Sequence, residues 1–239
     1  MKVLKIVSVC ICTAILFCGC TPANSAPIEE ADIKFVQFNK PIKGQDMAKI
    51  RTSYGDITMM LFKKEAPNTV AHFQKLVNEK FYDNKDVFLD EKNQYFISGA
   101  TDDAGIKGKL LTEKEKPIEC ETTPTLWHFS GAVSVVGYEK NKLSKTCVSD
   151  SRFMIVSNVE PTTSMIDEMT KYKYPLKVIN KYKEVGGMPQ LTGRFTVFGH
   201  ITEGMDVVKK ISELKYKGDS HKAENGFKIE KIELFKFDK

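Results

Sequence analysis

The chain has 239 residues, 41% hydrophobic and 28% charged, with a formal net charge of +5. That is an ordinary globular composition, long enough for one or two domains with a sizeable core. The positive balance is too mild to argue for nucleic acid as a partner, and the lysines, scattered along most of the chain, read as solvated faces.

The first twenty residues, MKVLKIVSVCICTAILFCGC, differ from the rest. Lys2 and Lys5 make a positive start, and residues 6–18 form an almost unbroken apolar run of 13 residues. A bilayer span takes about 20 residues, so the run fits the apolar region of a secretory signal. It ends in Phe17-Cys18-Gly19-Cys20 and is followed by the polar stretch TPANSAPIEE. A small residue and then Cys resembles a bacterial lipobox, with Cys20 the lipidated residue, although Phe17 is not the residue preferred at its position. An uncleaved anchor and an ordinary cleaved signal are the alternatives. The expectation is a protein of the bacterial cell envelope, lipid-anchored to a membrane on its extracytoplasmic side. Without residues 1–20, which hold two Lys and no acid, the net charge falls from +5 to +3.

Four of the six Cys lie in that segment, leaving Cys120 and Cys147, which are 27 residues apart. With no CxxC, redox catalysis is not expected. Outside the cytoplasm a structural disulfide between them and two separate thiols are both open. His72, His128, His200 and His221 are dispersed without metal-ligand spacing, so neither a metal nor another cofactor is expected.

Residues 21–45, with Pro22, Pro27 and Pro41, read mainly as a tether in which IKFVQF could make a short strand. The domain spans residues 46–239. AKIRTSYGDITMMLF reads as strand, turn at Tyr54-Gly55, strand. In EAPNTVAHFQKLVNEKFYD, Val70, Phe73 and Leu76 or Val77 recur at helical spacing behind a Pro67 start. Short apolar runs follow, broken by turn residues: YFISG, GAVSVVG, RFMIVSN and RFTVFGHI. GMDVVKKISEL repeats the helical period, and FKIEKIELFKF alternates like a half-buried strand. Residues 157–190 are a polar insertion, read as loop with a short helical piece. Strands dominate without alternating helices, which argues for a mainly β, antiparallel barrel or sandwich.

Four segments in order resemble the cyclophilin-type peptidyl-prolyl isomerases. GDITMMLFKKEAPNTVAHFQKLVNEKFYD is similar to the family's strand, A-P-x-T-V, helix and F-Y-D. HFSGAVSVVG is similar to H-x-x-G-x-x-S, and SRFMI to S-Q-F-F-I. TVFGHITEGMDVVKKI is similar to T-V-F-G-x-V-x-x-G-M-D-V-V-x-x-I. The resemblance covers about residues 47–237 and implies an eight-stranded antiparallel β-barrel capped by two α-helices. It also implies an envelope isomerase, a monomer, acting on proline-containing segments of exported proteins.

A prolyl amide rotates over a barrier of about 18–20 kcal/mol. No bond breaks, so a catalyst needs an apolar socket for the ring and a hydrogen-bond donor aimed at the amide. In the family an Arg in F-H-R donates. FLDEKNQYFISG aligns with that segment without a gap, and Asp90 takes the Arg position. By the same alignment Tyr95, Phe96, Met154, Leu191 and Phe195 form the socket, Phe153 is retained beside Met154 among the substrate-binding residues, Ser98 replaces a Gln, and Val136 and Gly137 replace a small residue and an Asn that contact peptide. Arg152 stands at a Gln position and is the candidate to pair with Asp90 or to present its guanidinium to substrate. The socket survives and its polar groups are mostly gone, which predicts impaired catalysis. Two other classes stay open: a lipid-tethered module that binds extended peptides without turnover, and a structural envelope protein docking through its insertion.

Overall fold

Alternating apolar side chains give each strand an inner and an outer face, and the faces sort into separate clusters once the strands pair. The computed structural model describes residues 30–89, 94–110, 118–139, 147–217 and 221–238. Its strands are β1 (Asp46–Thr52), β2 (Gly55–Leu61), β3 (Lys85–Phe88), β4 (Tyr95–Ser98), β5 (Ile118–Glu119), β6 (Ala132–Glu139), β7 (Cys147–Val156), β8 (Val197–Glu203), β9 (Tyr216–Lys217), β10 (Lys222–Ala223) and β11 (Lys228–Lys236). The order β11-β1-β2-β8-β6-β7-β4-β3 returns to β11 through the β11–β3 pairing. These eight strands form a closed barrel, all neighbours antiparallel. Closure removes the exposed edges that an open sheet presents. Three short strands lie outside the ring: β5 on β7, β10 on β3, and β9 on β10.

The barrel interior holds Ile50, Ile57, Leu61, Phe96, Val133, Phe153, Ile155 and Phe198, all buried. Helix α1 (Pro67–Asn78) adds Val70, Phe73 and Leu76 to this core, and helix α4 (Met205–Ser212) adds Val208 and Ile211. The two helices with clear apolar periodicity are therefore the two that cap the barrel. Helix α1 begins at Ala66, whose side chain caps nothing. Glu121 supplies the cap from a distance, accepting from Asn68 N at 3.0 Å and Thr69 N at 2.8 Å, and from both side chains. Helix α4 starts after Gly204 at φ 92°, where a Cβ would lie 2.4 Å from the Asp56 carbonyl, so glycine is needed there.

Two parts of the chain depart from the sequence reading. The insertion contains two helices, α2 (Thr163–Lys171) and α3 (Leu176–Val185), rather than loop with one short helical piece. The residues read as the end of a tether are packed. Ile33 is fully buried among Trp127, Phe129, Met169, Val178, Ile179 and Tyr182, and residues 36–38 form a 3-10 turn instead of a strand. Phe35 meets Phe129 edge to face and Phe38 lies tilted against it, at 5.5 and 5.4 Å between centroids. The physical reason is mutual: neither the arm nor the weakly apolar insertion can bury a face alone, and together they make a third cluster outside the barrel.

Candidate active site

A cluster on the outer face of the barrel brings together side chains from five separate stretches. Tyr95 on β4, Met154 and Val156 on β7, Leu191 and Val197 pack with Leu126 and Met188, and the partly buried Val136 and Phe195 lie against them. The register explains the membership. Tyr95 pairs with Val156 and Ile97 with Met154, and Met154 pairs with Ser134 across the other edge. Period two then turns the intervening residues inward.

Three residues expected in the site therefore belong elsewhere. Phe96 and Phe153 lie in the barrel interior, each 1% exposed. Ser98 is fully buried, and its hydroxyl donates to the Asp86 carbonyl at 2.9 Å. The alignment places all three beside outward-facing neighbours, and strand alternation reverses them. Of the socket residues, Tyr95, Met154, Leu191 and Phe195 pack in one cluster, and Val136, expected as a peptide-contact position, lies against it. Gly137 lies at an irregularity in the β6–β7 register. Asp90 lies outside the described residues. Cys147 is described only in its backbone, so its pairing lies outside them too, while Cys120 Sγ lies 3.3 Å from the Arg194 carbonyl.

The outer cluster is tightly filled. Tyr95 and Leu191 are each 8% exposed and Met154 3%, so the more open Val136 and Phe195 present most of what a peptide could touch. A cavity among interior residues, walled by His72, Phe73, Tyr82, Asp150, Arg152 and Phe153 among others, has only about 10 Å³. That is the scale of a single water and too small for a proline ring. A shallower depression of about 340 Å³, lined by Ser130, Asn158, Met205, Asp206 and Lys209, contains none of the expected site residues.

Arg152 has partners of its own. Its Nη2 donates to Asp150 Oδ2 at 2.8 Å, its Nε to Oδ1 at 3.0 Å, and its Nη1 to the Gly105 carbonyl at 3.2 Å. Both side chains of the pair are nearly buried, at 10% and 4% exposed. The guanidinium thus ties the turn at Gly105 to β7. Asp150 stands two positions before Arg152 on the same strand, so period two puts the two side chains on one face, a pairing the sequence spacing itself signals. Of the other arginines, Arg51 bonds Glu233 at 2.8 Å and Asp56 on the barrel wall. Arg194 lies over the Phe195 ring, 5.9 Å from its centroid.

Beneath Phe195 runs a buried polar chain. The Ser134 hydroxyl donates to the Thr196 carbonyl at 3.0 Å, so the contact of 3.0 Å from His128 Nε2 to Ser134 Oγ has the imidazole as donor. Burial lowers the His128 pKa to about 3, which keeps the ring neutral. Gln37 from the arm secures the same segment. It accepts from Trp127 N at 2.6 Å and donates to Trp127 O at 2.9 Å and to His200 Nδ1 at 3.2 Å. Neither contact has a signal in a single sequence, because Gln37 lies 90 residues from Trp127.

The profile of the family described as cyclophilin type peptidyl-prolyl cis-trans isomerase/CLD matches residues 47–234. A Staphylococcus saprophyticus protein provisionally named a peptidyl-prolyl cis-trans isomerase is 28% identical over 202 residues, covering 84% of this chain and 98% of that protein. A Staphylococcus aureus relative of the same name has the same identity and coverage. Among solved structures, a cyclophilin type peptidyl-prolyl cis-trans isomerase of Cryptosporidium parvum matches with a TM-score of 0.60 and 19% identity, over 81% of this chain and 99% of its own. A structure of that protein in the presence of the dipeptide Ala-Pro matches with a TM-score of 0.59 and 20% identity, over 80% and 99%. At these identities the solved structures speak for the fold.

Proposed function

The chain belongs to the cyclophilin-type peptidyl-prolyl cis-trans isomerase family, a family of enzymes that turn X–Pro bonds between cis and trans, and we propose that within it this protein is a cell-envelope member with weak turnover. Its clients on this reading are proline-containing segments of exported proteins, and lipidated Cys20 holds it at a membrane. The secretory character of residues 1–20 supports the location. The observation that carries the reading of catalysis is the loss of the donor. Asp90 takes the family's Arg position in the sequence, and Arg152, the candidate to replace it, is nearly buried and already commits three of its five N–H donors to Asp150 and Gly105.

Removing one preorganised donor costs about 10²–10³ in rate. A carboxylate at that position adds repulsion toward the amide oxygen. The apolar outer cluster still offers Val136, Phe195 and the edge of Tyr95 to a proline ring. Binding an extended segment without turning it over is therefore the second reading, and the retained apolar cluster favours it.

The test is an isomerisation assay on a short X–Pro peptide with the parent, Asp90→Arg and Arg194→Ala. Near-zero turnover in the parent with a gain in Asp90→Arg is the expected result. Turnover in the parent near that of ordinary cyclophilins overturns it, and loss of that turnover in Arg194→Ala would identify the guanidinium over Phe195 as its source. Peptide binding by the parent without turnover, followed by fluorescence anisotropy, separates the binding reading from a closed site.

A further inference from the structure

We propose that the exposed face of α3, together with the arm lying along it, docks on anionic lipid headgroups. The inference deepens the lipid-anchored reading above and rests on it. The stretch KYKYPLKVINKYK, residues 171–183, has five Lys and no acid. Helix α3 buries Val178, Ile179 and Tyr182 against Ile33 and Phe129. Its outward stripe is Leu176, Lys177, Asn180 and Lys183, with Lys173 exposed in the turn before it. Leu176 is 62% exposed. An apolar side chain ringed by lysines on one helix face is the pattern of an interfacial helix.

Of the neighbouring acids two are engaged, and two, Asp32 on the arm and Asp167 on α2, are exposed. Glu184 is held by Lys181 at 2.9 Å, and Glu30 accepts from Lys177 N at 3.3 Å. On α2, Asp167 is exposed, four residues before Lys171. The arm adds Lys34, exposed next to Ile33, whose carbonyl accepts from Lys177 Nζ at 2.7 Å.

The path of the chain selects the occupant. The arm is fixed on α3 from Glu30 onward, and ten residue steps separate Glu30 from Cys20. Ten residues reach at most ~35 Å when fully extended. A lipid on Cys20 therefore holds the arm, and the lysine face beside it, within ~35 Å of the bilayer. Surface charge acts only within a Debye length, ~8 Å at physiological ionic strength, so the lysines contribute when the face touches the headgroups.

The experiment uses residues 30–239, which contain the closed barrel and all three apolar clusters, the first of whose members is Ile33. Sedimentation with vesicles of phosphatidylglycerol mixed with phosphatidylcholine, against phosphatidylcholine alone, reads the partition. The expected result is binding to the anionic vesicles only, lost on adding salt. Each lysine near an anionic surface is worth about fivefold, so Lys34→Gln, Lys173→Gln and Lys183→Gln together weaken binding on the order of a hundredfold. Lys63→Gln with Lys64→Gln, exposed at the end of β2, alters charge elsewhere and leaves binding nearly unchanged. No binding, equal binding to both vesicles, or equal loss in the two sets of variants overturns the proposal. Lipidation is read separately, by palmitate labelling of the full chain and its Cys20→Ala variant. Absence of label with vesicle binding intact would sink the anchor and leave the docking face standing.

Discussion

At the scale of single residues, the Arg152–Asp150 pair decides how the site is read. An arginine at a substrate-facing position invites a catalytic role, yet here a carboxylate on the same strand occupies it almost out of solvent. Removing one partner of a buried pair leaves an uncompensated charge, which costs about 3–5 kcal/mol. Arg152→Met is therefore expected to lower stability by about 3 kcal/mol in urea unfolding. Replacing both, Arg152→Met with Asp150→Leu, is expected to recover most of that loss, because no charge is then stranded. Equal stability of parent and Arg152→Met would show the pair to be solvated and would return Arg152 to candidacy in the site. The same scale explains why Phe96, Phe153 and Ser98 were misplaced in sequence. A motif gives the type of residue at a position, but the face it occupies depends on strand register, and one step of register exchanges inside for outside.

At the scale of elements, two long-range contacts do what local sequence does not. Helix α1 lacks a capping side chain of its own, and Glu121 brings a carboxylate to its first turn. A capping interaction is worth about 1 kcal/mol, and the negative charge at a helix start adds to it. Glu121→Ala is expected to cost about 1–2 kcal/mol and Glu121→Gln less, as read by thermal unfolding. Identical melting of all three chains would remove Glu121 as the cap. Gln37 makes a larger commitment, with three buried hydrogen bonds that join the arm to Trp127 and His200. In Gln37→Leu the Trp127 amide and the His200 Nδ1 are left buried without partners, at about 1–3 kcal/mol for each unsatisfied group, while the Trp127 carbonyl keeps its bond from Phe129 N at 2.8 Å. The expected outcome is a loss of at least about 2 kcal/mol, with faster amide exchange at residues 126–129. Unchanged exchange there would mean that the segment holds its place without the arm. These elements were hard to read in sequence for one reason. The arm and the insertion are each too weakly patterned to announce a core, and their partner is the other, more than a hundred residues away.

At the scale of the whole molecule, the barrel was legible because its strands and both capping helices carry their own periodicity, and because the segment through GMDVVKKI keeps the family's pattern. The active face was legible as a set of apolar residues and not as an arrangement, since its polar groups depend on which side chain reaches which partner. The folded molecule also carries a property that belongs to no single element. His72, His128 and His200 are buried in three different places, and burial lowers their pKa values from 6.5 to about 4, about 3 and about 4. Each is neutral in the fold, while the unfolded chain protonates all three as the pH falls through 6.5. The unfolded state then binds more protons, so stability is complete above that pH and declines as the pH falls toward about 4. One group contributes a slope of about 1.4 kcal/mol per pH unit, and the three together up to about 4. Ordinary carboxylates titrate near or below about 4, so the interval from pH about 6 to about 5 isolates the histidines. Urea midpoints measured across it are expected to drop steeply with no change in the slope of unfolding against urea. A flat profile there would mean that the three imidazoles take up protons without unfolding the barrel, and would put the neutrality of His128 beneath Phe195 in error.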